Sequence, residues 1–333
     1  MFRTAVPVVV WFLRFAVGFL FLISGLIKVN DIIGFSYKLV EYFHVFTEDF
    51  GLPFNSLIPF AVGLSAFIAI FETMLAIFLL VGFARGFTTT VLLLMILFFT
   101  FLTGYSAITK SVTDCGCFGD ALKLTPVQSF IKDLVLLLFI GFLFIYQTEI
   151  RRLGRPWMRA ALSTVLSLAV IFFGWYTYNY LPVVDFLPYK VGADLSFNLR
   201  NTNADGDIIA KDYEPFANDC GKDELKGAAL LVVMHDMEKA DPSDLIFVAE
   251  LTRSLKDSPI NIFMATATGS TVRKKLAQEY GLEACLAGRD ETMLKTIIRS
   301  NPGFVVMQDG VVKGKWHVNA RPTKEQLLKV LGK

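Results

Sequence analysis

Five stretches of mainly apolar residues, each long enough to cross a bilayer, constrain this chain before anything else does: Val6 to Ile27, Leu57 to Gly82, Phe87 to Ala107, Pro126 to Tyr146 and Met158 to Leu181. About 20 such residues in a helix span the hydrocarbon layer, and a helix satisfies its own backbone hydrogen bonds where no water can. An ordinary soluble enzyme is excluded. The first run is too long for a signal-peptide core and ends in no small-x-small cleavage pattern, so it reads as a retained span.

Composition shows where the apolar part stops. All but five of the 32 Phe precede Val191, whereas 39 Asp, Glu, Lys and Arg lie in residues 191–333 against 23 in residues 1–190. An embedded part therefore precedes a soluble one. The formal net charge of +2, with no basic face, gives no reason to expect a nucleic-acid partner. Orientation follows Lys and Arg in short loops. The densest group, Arg151, Arg152, Arg155 and Arg159, lies between the fourth and fifth runs; Arg85 and Arg3 fall on the same side, expected to be cytoplasmic. Five crossings then put the stretch from Lys28 to Asn55, the loop with Cys115 and Cys117, and everything after Leu181 outside. In a bacterial cell this is a multi-pass inner-membrane protein with its carboxyl-terminal part in the periplasm.

Between the first two runs, Ile32, Ile33, Phe35, Leu39, Val40, Phe43 and Phe46 recur at near-helical spacing. A helix lying on the outer face and packing on the bundle is expected, with a lid over a ligand cavity as the alternative. His44 reads as solvated. Inside the apolar runs stand Glu72, Lys132 and Asp133. Intramembrane charges face the bundle interior and pair, and Glu72 and Lys132 come out at similar depth, so an ion pair between them is expected. It fixes helix register, or with Asp133 it forms a proton path or a polar patch for a quinone headgroup. Arg14 and Lys28, near the ends of the first run, are expected to snorkel to the interfaces.

The outer loop reads Thr113-Asp114-Cys115-Gly116-Cys117-Phe118-Gly119-Asp120. A Cys-x-Cys pair can close a small disulfide ring, and Gly116 permits the backbone angles that closure demands. So small a ring is strained, and strain makes a disulfide labile and suited to exchange. Asp114 and Asp120 raise thiol pKa values; Lys110 and Lys123 act oppositely. A redox couple and a static brace both stay open. No metal is expected, because zinc needs two more ligands and the loop offers only carboxylates.

The Ser24-Gly25-Leu26-Ile27-Lys28 end of the first run with Asp31 and Phe35, Glu72, the Cys115-Gly116-Cys117-Phe118-Gly119 loop and Lys132-Asp133 resemble the DoxX/MauE group of four-span bacterial membrane proteins over about residues 8–147. The Cys-Gly-Cys-Phe-Gly loop is the most specific part. The resemblance implies a redox-associated inner-membrane protein. MauE itself acts in methylamine utilisation beside a thioredoxin-like companion for disulfide formation in methylamine dehydrogenase.

After the fifth run, Pro182 and Pro188 stiffen the exit, and residues 198–227 read as loops with a hairpin at Asp205-Gly206. Then an α/β alternation is expected. Strands run over Ala228 to Met234 and Ile260 to Ala265, and helices over Ser243 to Lys256, Thr271 to Tyr280 and Glu291 to Arg299. A hairpin from Phe304 to His317 turns at Asp309-Gly310, and a last helix runs from Thr323 to Leu331. This order, with Asn301-Pro302 before the hairpin, resembles the thioredoxin fold over about residues 226–333, and the resemblance implies a cis proline there. The family's Cys-x-x-Cys is missing: His235 to Asp241 holds no Cys, and Glu238 and Asp241 fall near the sulfur positions. Cys285, in an apolar context, reads as a core thiol, and Cys220 as a third exchanging thiol, with a disulfide between them the lesser alternative. His235 and His317 read as structural.

The expected architecture is an α-helical membrane bundle of four spans (1–150), a fifth span (151–182), a linker (183–226) and an α/β thioredoxin-like periplasmic domain without its dithiol (227–333). The expected function is thiol–disulfide exchange with a periplasmic protein through Cys115 and Cys117, with a quinone as the candidate electron carrier. The competing classes are a non-enzymatic membrane assembly protein with a structural disulfide, and a transporter using Glu72, Lys132 and Asp133. Whether the chain is an enzyme stays open at this stage.

Overall fold

The computed structural model describes residues 2–112, 116–198, 216–221 and 223–332. It divides into two compact units, Met1–Tyr178 and Asn179–Lys333.

The first unit is helical: α1 (Phe2–Asn30), α2 (Ile32–Phe50), α3 (Ala61–Val81), α4 (Arg85–Thr109), α5 (Pro126–Ile145) and α6 (Pro156–Asn179). Among the described residues, five helical stretches are long and apolar enough to cross a membrane, one being α3 with the 3-10 turn before it. This is a multi-pass membrane protein. Thr125 and Gln128 form a capping box that starts α5 with Pro126 in its first turn, where a missing N–H does no harm.

Helix α1 packs against α3 along a seam of small residues. A Cβ on Gly25 would stand 2.3 Å from Thr73 Oγ1 and 3.0 Å from its backbone nitrogen, so only hydrogen permits this approach. Between α1 and α3, Leu13, Val17, Phe21, Leu75 and Leu79 are buried together with Leu92 and Ile96 of α4 and Ile140 of α5. Helix α2 buries Ile32, Phe35, Leu39, Tyr42 and Phe46 and leaves His44 exposed; Ile33, Val40 and Phe43, expected on the same side, are only half-buried. The Ser65 hydroxyl of α3 donates to the Ile32 carbonyl at 2.7 Å. In α6, Gly174 faces Ile70, and Thr177 donates to the Val29 carbonyl at 2.5 Å.

The second unit contains short helices α7 (Leu195–Asn198) and α8 (Ala217–Cys220), then β1 (Ala228–Met234), α9 (Pro242–Ser254), β2 (Ile260–Thr266), α10 (Ser270–Tyr280), β3 (Cys285–Gly288), α11 (Glu291–Ile297), β4 (Gly303–Gln308), β5 (Val311–His317) and α12 (Lys324–Val330). The sheet order is β3-β2-β1-β4-β5, parallel over the first three strands and antiparallel from β1 to β5. Strand β1 is buried on both faces, as a central strand between helical layers must be. Ala229, Leu231 and Val233 point to one core with Leu294 and Ile297 of α11; Leu230, Val232 and Met234 point to the other with Val248 of α9 and Leu327 of α12.

The β4–β5 turn runs through Asp309 (φ 50°) and Gly310 (φ 77°), the paired left-handed conformations that an Asp-Gly hairpin needs. The Asn301–Pro302 peptide is cis. One strand escapes sequence analysis: Cys285–Gly288 is four residues long, too short to show periodicity. The segment before β1 joins the first core with Tyr189, Leu195 and Phe216. Its backbone also lies along β5: Gly192 N–H donates to Val312 O at 2.8 Å, Val312 N–H to Ala193 O at 2.9 Å, and Leu195 N–H to Gly310 O at 2.9 Å. The hairpin expected at Asp205-Gly206 lies outside the described residues.

Candidate functional site

The close approach at Gly25 sets Ser24 of α1 beside Glu72 of α3. One turn further along α1, Lys28 reaches the same carboxylate, Nζ to Oε2 at 2.7 Å, with Lys28 only 3% and Glu72 2% exposed. The Ser24 hydroxyl, with one proton to donate, stands 2.8 Å from Glu72 Oε1 and 2.8 Å from the Cys117 carbonyl oxygen, and accepts from Lys28 Nζ at 3.2 Å. Lys28 lies over the rings of Phe99 and Phe35, with Nζ 4.9 and 5.5 Å from their centroids, where the ring faces attract a cation.

This corrects two sequence-based expectations. Glu72 pairs with Lys28, not Lys132, and Lys28 does not snorkel. The helix continues past Ile27 to Asn30, and α2 folds back over its end, which buries Lys28 instead of releasing it to an interface. Arg14 is buried too. Its guanidinium donates to the carbonyls of Leu79, at 2.9 Å, of Leu80, and of Arg151, at 2.6 Å. It thereby satisfies acceptors that the end of α3 leaves open.

Lys132 pairs with its neighbour Asp133 at 2.7 Å, and the buried Asp133 carboxylate accepts from the Thr103 hydroxyl at 3.0 Å. Lys132 Nζ lies 5.5 Å from the Phe118 ring centroid and within electrostatic reach of Cys117 and Glu72. Both charge pairs thus stand below one loop. Gly116, at φ 66°, turns that loop into place, and a Cβ there would meet the Lys38 side chain at 3.1 Å. Cys115 lies outside the described residues, and with it the expected pairing of Cys115 and Cys117.

Cys117, Lys28, Lys38, Phe35, Phe99 and Thr103 share a narrow cavity of about 20 Å³. That is room for about one water molecule, against the roughly 300–1,000 Å³ of typical small-molecule pockets. This cavity has no room for a quinone ring.

In the second unit, Cys220 and Cys285 are joined in a disulfide, with Cα atoms 5.7 Å apart. The lesser alternative from the sequence holds, and neither residue is the exchanging or core thiol expected first. Phe216 packs in the core against Phe263, with ring centroids 5.3 Å apart, which carries Cys220 of α8 to the edge strand β3, where Cys285 is half-buried. Phe216, an aromatic residue in a polar stretch just before Cys220, is the sequence signal for this.

The segment from His235 to Asp241, after β1, is held by hydrogen bonds to the residues around it. His235 is buried, its Nε2 3.0 Å from the Ile298 carbonyl oxygen, and burial pushes its pKa down to about 4. Asn301 donates to Asp236 O at 2.8 Å, and Met237 N–H donates to the Thr268 hydroxyl at 2.8 Å. Asp241 caps α9 by accepting from Ser243 N–H at 2.8 Å. Among the described residues, no group of three or more His, Cys, Asp or Glu is placed to hold a metal ion.

A comparison with curated proteins gives no match. Residues 6–146 match the family model of the methylamine utilisation protein MauE, and this match, on the stretch that holds the first four apolar spans and the Cys117 loop, supports a MauE-type membrane protein.

Proposed function

We propose that the chain is a membrane-bound thiol–disulfide protein that exchanges disulfides with a periplasmic protein through Cys115 and Cys117. The observation that carries this reading is the tethering of the Cys117 loop, through Ser24, to the buried Lys28–Glu72 pair, with Lys132 within electrostatic reach of the same cysteine. Nearby cations favour the thiolate, the form that attacks disulfides.

The exchange runs between the Cys115–Cys117 disulfide and a partner dithiol. A partner thiolate attacks one sulfur, the ring S–S bond breaks, and the released sulfur leaves as a thiolate that takes up a proton. The partner's second thiolate then breaks the mixed disulfide. The partner is oxidised by two electrons and the Cys115–Cys117 pair is reduced to a dithiol. The excess of Arg between the last two spans supports a cytoplasmic Arg151 to Arg159 loop, and with five alternating crossings the cysteine loop and the second unit then share one oxidising compartment.

The second unit is read as a thioredoxin-type scaffold, on its strand order and on the Asn301-Pro302 sequence before β4. Because His235 to Asp241 contains no sulfhydryl, its part is to bind a partner rather than exchange thiols. In the full-length protein, Cys117→Ser should trap a mixed disulfide through Cys115 with a periplasmic protein, seen as a reductant-sensitive band. If neither single Cys→Ser variant traps anything and the double variant keeps wild-type function, the exchange reading fails. The loop is then a brace on an assembly protein.

A further inference from the structure

The opposite end of the helical unit holds a second polar site that the thiol chemistry does not use. Trp11, Arg14, Arg85, Glu149, Arg151 and Arg152 line a cavity of about 640 Å³ among α1, the start of α4 and the segment between α5 and α6. Four arginines and one glutamate line it. Arg14 is 5% exposed. A guanidinium carries five N–H donors, and Arg14 gives three to carbonyls. Arg85 Nη1 donates to Thr148 O at 2.5 Å and to Ile150 O at 2.9 Å, which leaves its Nε and Nη2 hydrogens unspent among the described residues. The arginines are held in position by backbone acceptors, with donors to spare.

The site is also built to shape. Gly82, at φ 72°, ends α3 there; a Cβ on it would stand 2.7 Å from Arg151 O and 3.3 Å from Arg14 Nη2. Any side chain would push the Arg151 segment away. The remaining wall is apolar, with Val8 and Trp11 exposed on the surface of a membrane span. Cationic on one side and open to hydrocarbon on the other, such a cavity matches a molecule with a phosphate and acyl chains. Arginine binds phosphate oxygens two at a time, and basic pockets between spans take anionic headgroups.

We propose that this cavity binds the headgroup of an anionic phospholipid, with its phosphate on the free donors of Arg85, Arg151 and Arg152 and its acyl chains along α1 beside Trp11. Arg14 is a positioning residue, and Arg151 and Arg152 are exposed, so replacing them should not disturb folding.

The test uses the full-length protein in detergent, titrated with dioleoyl phosphatidylglycerol or dioleoyl phosphatidylcholine and followed by melting temperature and native mass spectrometry. Phosphatidylglycerol should raise the melting temperature and stay bound, with phosphatidylcholine weaker by roughly 10-fold in midpoint. Arg151→Gln with Arg152→Gln should weaken phosphatidylglycerol by roughly 10-fold. Arg155→Gln, outside the cavity, should leave it unchanged. Equal effects of the two lipids, or a weakening by Arg155→Gln as large as that of the double variant, would overturn the site in favour of diffuse surface charge. Displacement of phosphatidylglycerol by millimolar inorganic phosphate would overturn the lipid as its occupant.

Discussion

At the scale of single residues, the Lys28–Glu72 pair decides how much charge the bundle can hide. Removing one member leaves a buried charge without its partner, and such losses run to about 3–5 kcal/mol, while an apolar pair in the same place is close to neutral. Glu72→Gln and Lys28→Met should each lower the melting temperature in detergent sharply, and the double variant should regain much of the loss. Additive losses would mean that the two groups do not interact. His235 makes a prediction about acid. Its native pKa of about 4 lies below the unfolded value of 6.5, so between pH 6.5 and 4 the unfolded chain binds more protons and stability falls as pH falls. The loss due to His235 is on the order of 3 kcal/mol when complete. His317, also pushed down to about 4 by burial, titrates in the same window. Melting curves of His317→Gln between pH 7 and 4 should keep the His235 part of the slope, and adding His235→Gln should flatten it.

Among the elements, the contact between α1 and α3 is where helix geometry governs the site. At Gly25 an added methyl would meet the backbone of Thr73, whereas at Gly18 it would meet the tip of Leu80, which can swing aside. Gly25→Ala should therefore destabilise the protein more than Gly18→Ala, by about 1–3 kcal/mol as overpacking does. It should also loosen the Cys117 loop through Ser24, read as faster alkylation of a reduced Cys117. Equal melting temperatures for the two variants would refute this reading of the seam. Long apolar runs made all five spans legible in the sequence. The last turn of α1 was not, because Lys28 looked like the end of a hydrocarbon stretch when it is a charge inside protein. Strand β1 was legible to the residue, since seven apolar residues between turns have no other home in an α/β unit. Strand β3 was not, and without it the Cys220–Cys285 bond was only the lesser of two readings.

For the molecule as a whole, the stretch before β1 belongs to the folded sheet unit through Tyr189, Leu195, Phe216 and the Cys220–Cys285 bond. That bond spans 65 residues, for which the chain-entropy model gives about 4 kcal/mol. A fragment of residues 179–333 should thus melt well above one of residues 227–333, and reductant should lower the first and leave the second unchanged. If both fragments melt alike, the leading stretch adds nothing to the fold. Sequence alone could not assign it, because its core residues are scattered singly through polar surroundings. The same stretch has a consequence for how copies of the protein meet. A sheet grows into aggregates from edges whose backbone groups lie open to another strand. Here one edge is capped by residues 192–195 along β5, and the other ends in a strand of four residues cross-linked to α8. However densely these molecules crowd one face of a membrane, a neighbour finds little backbone on which to extend the sheet, and the unit is protected against fibrillar self-association by its own leading segment.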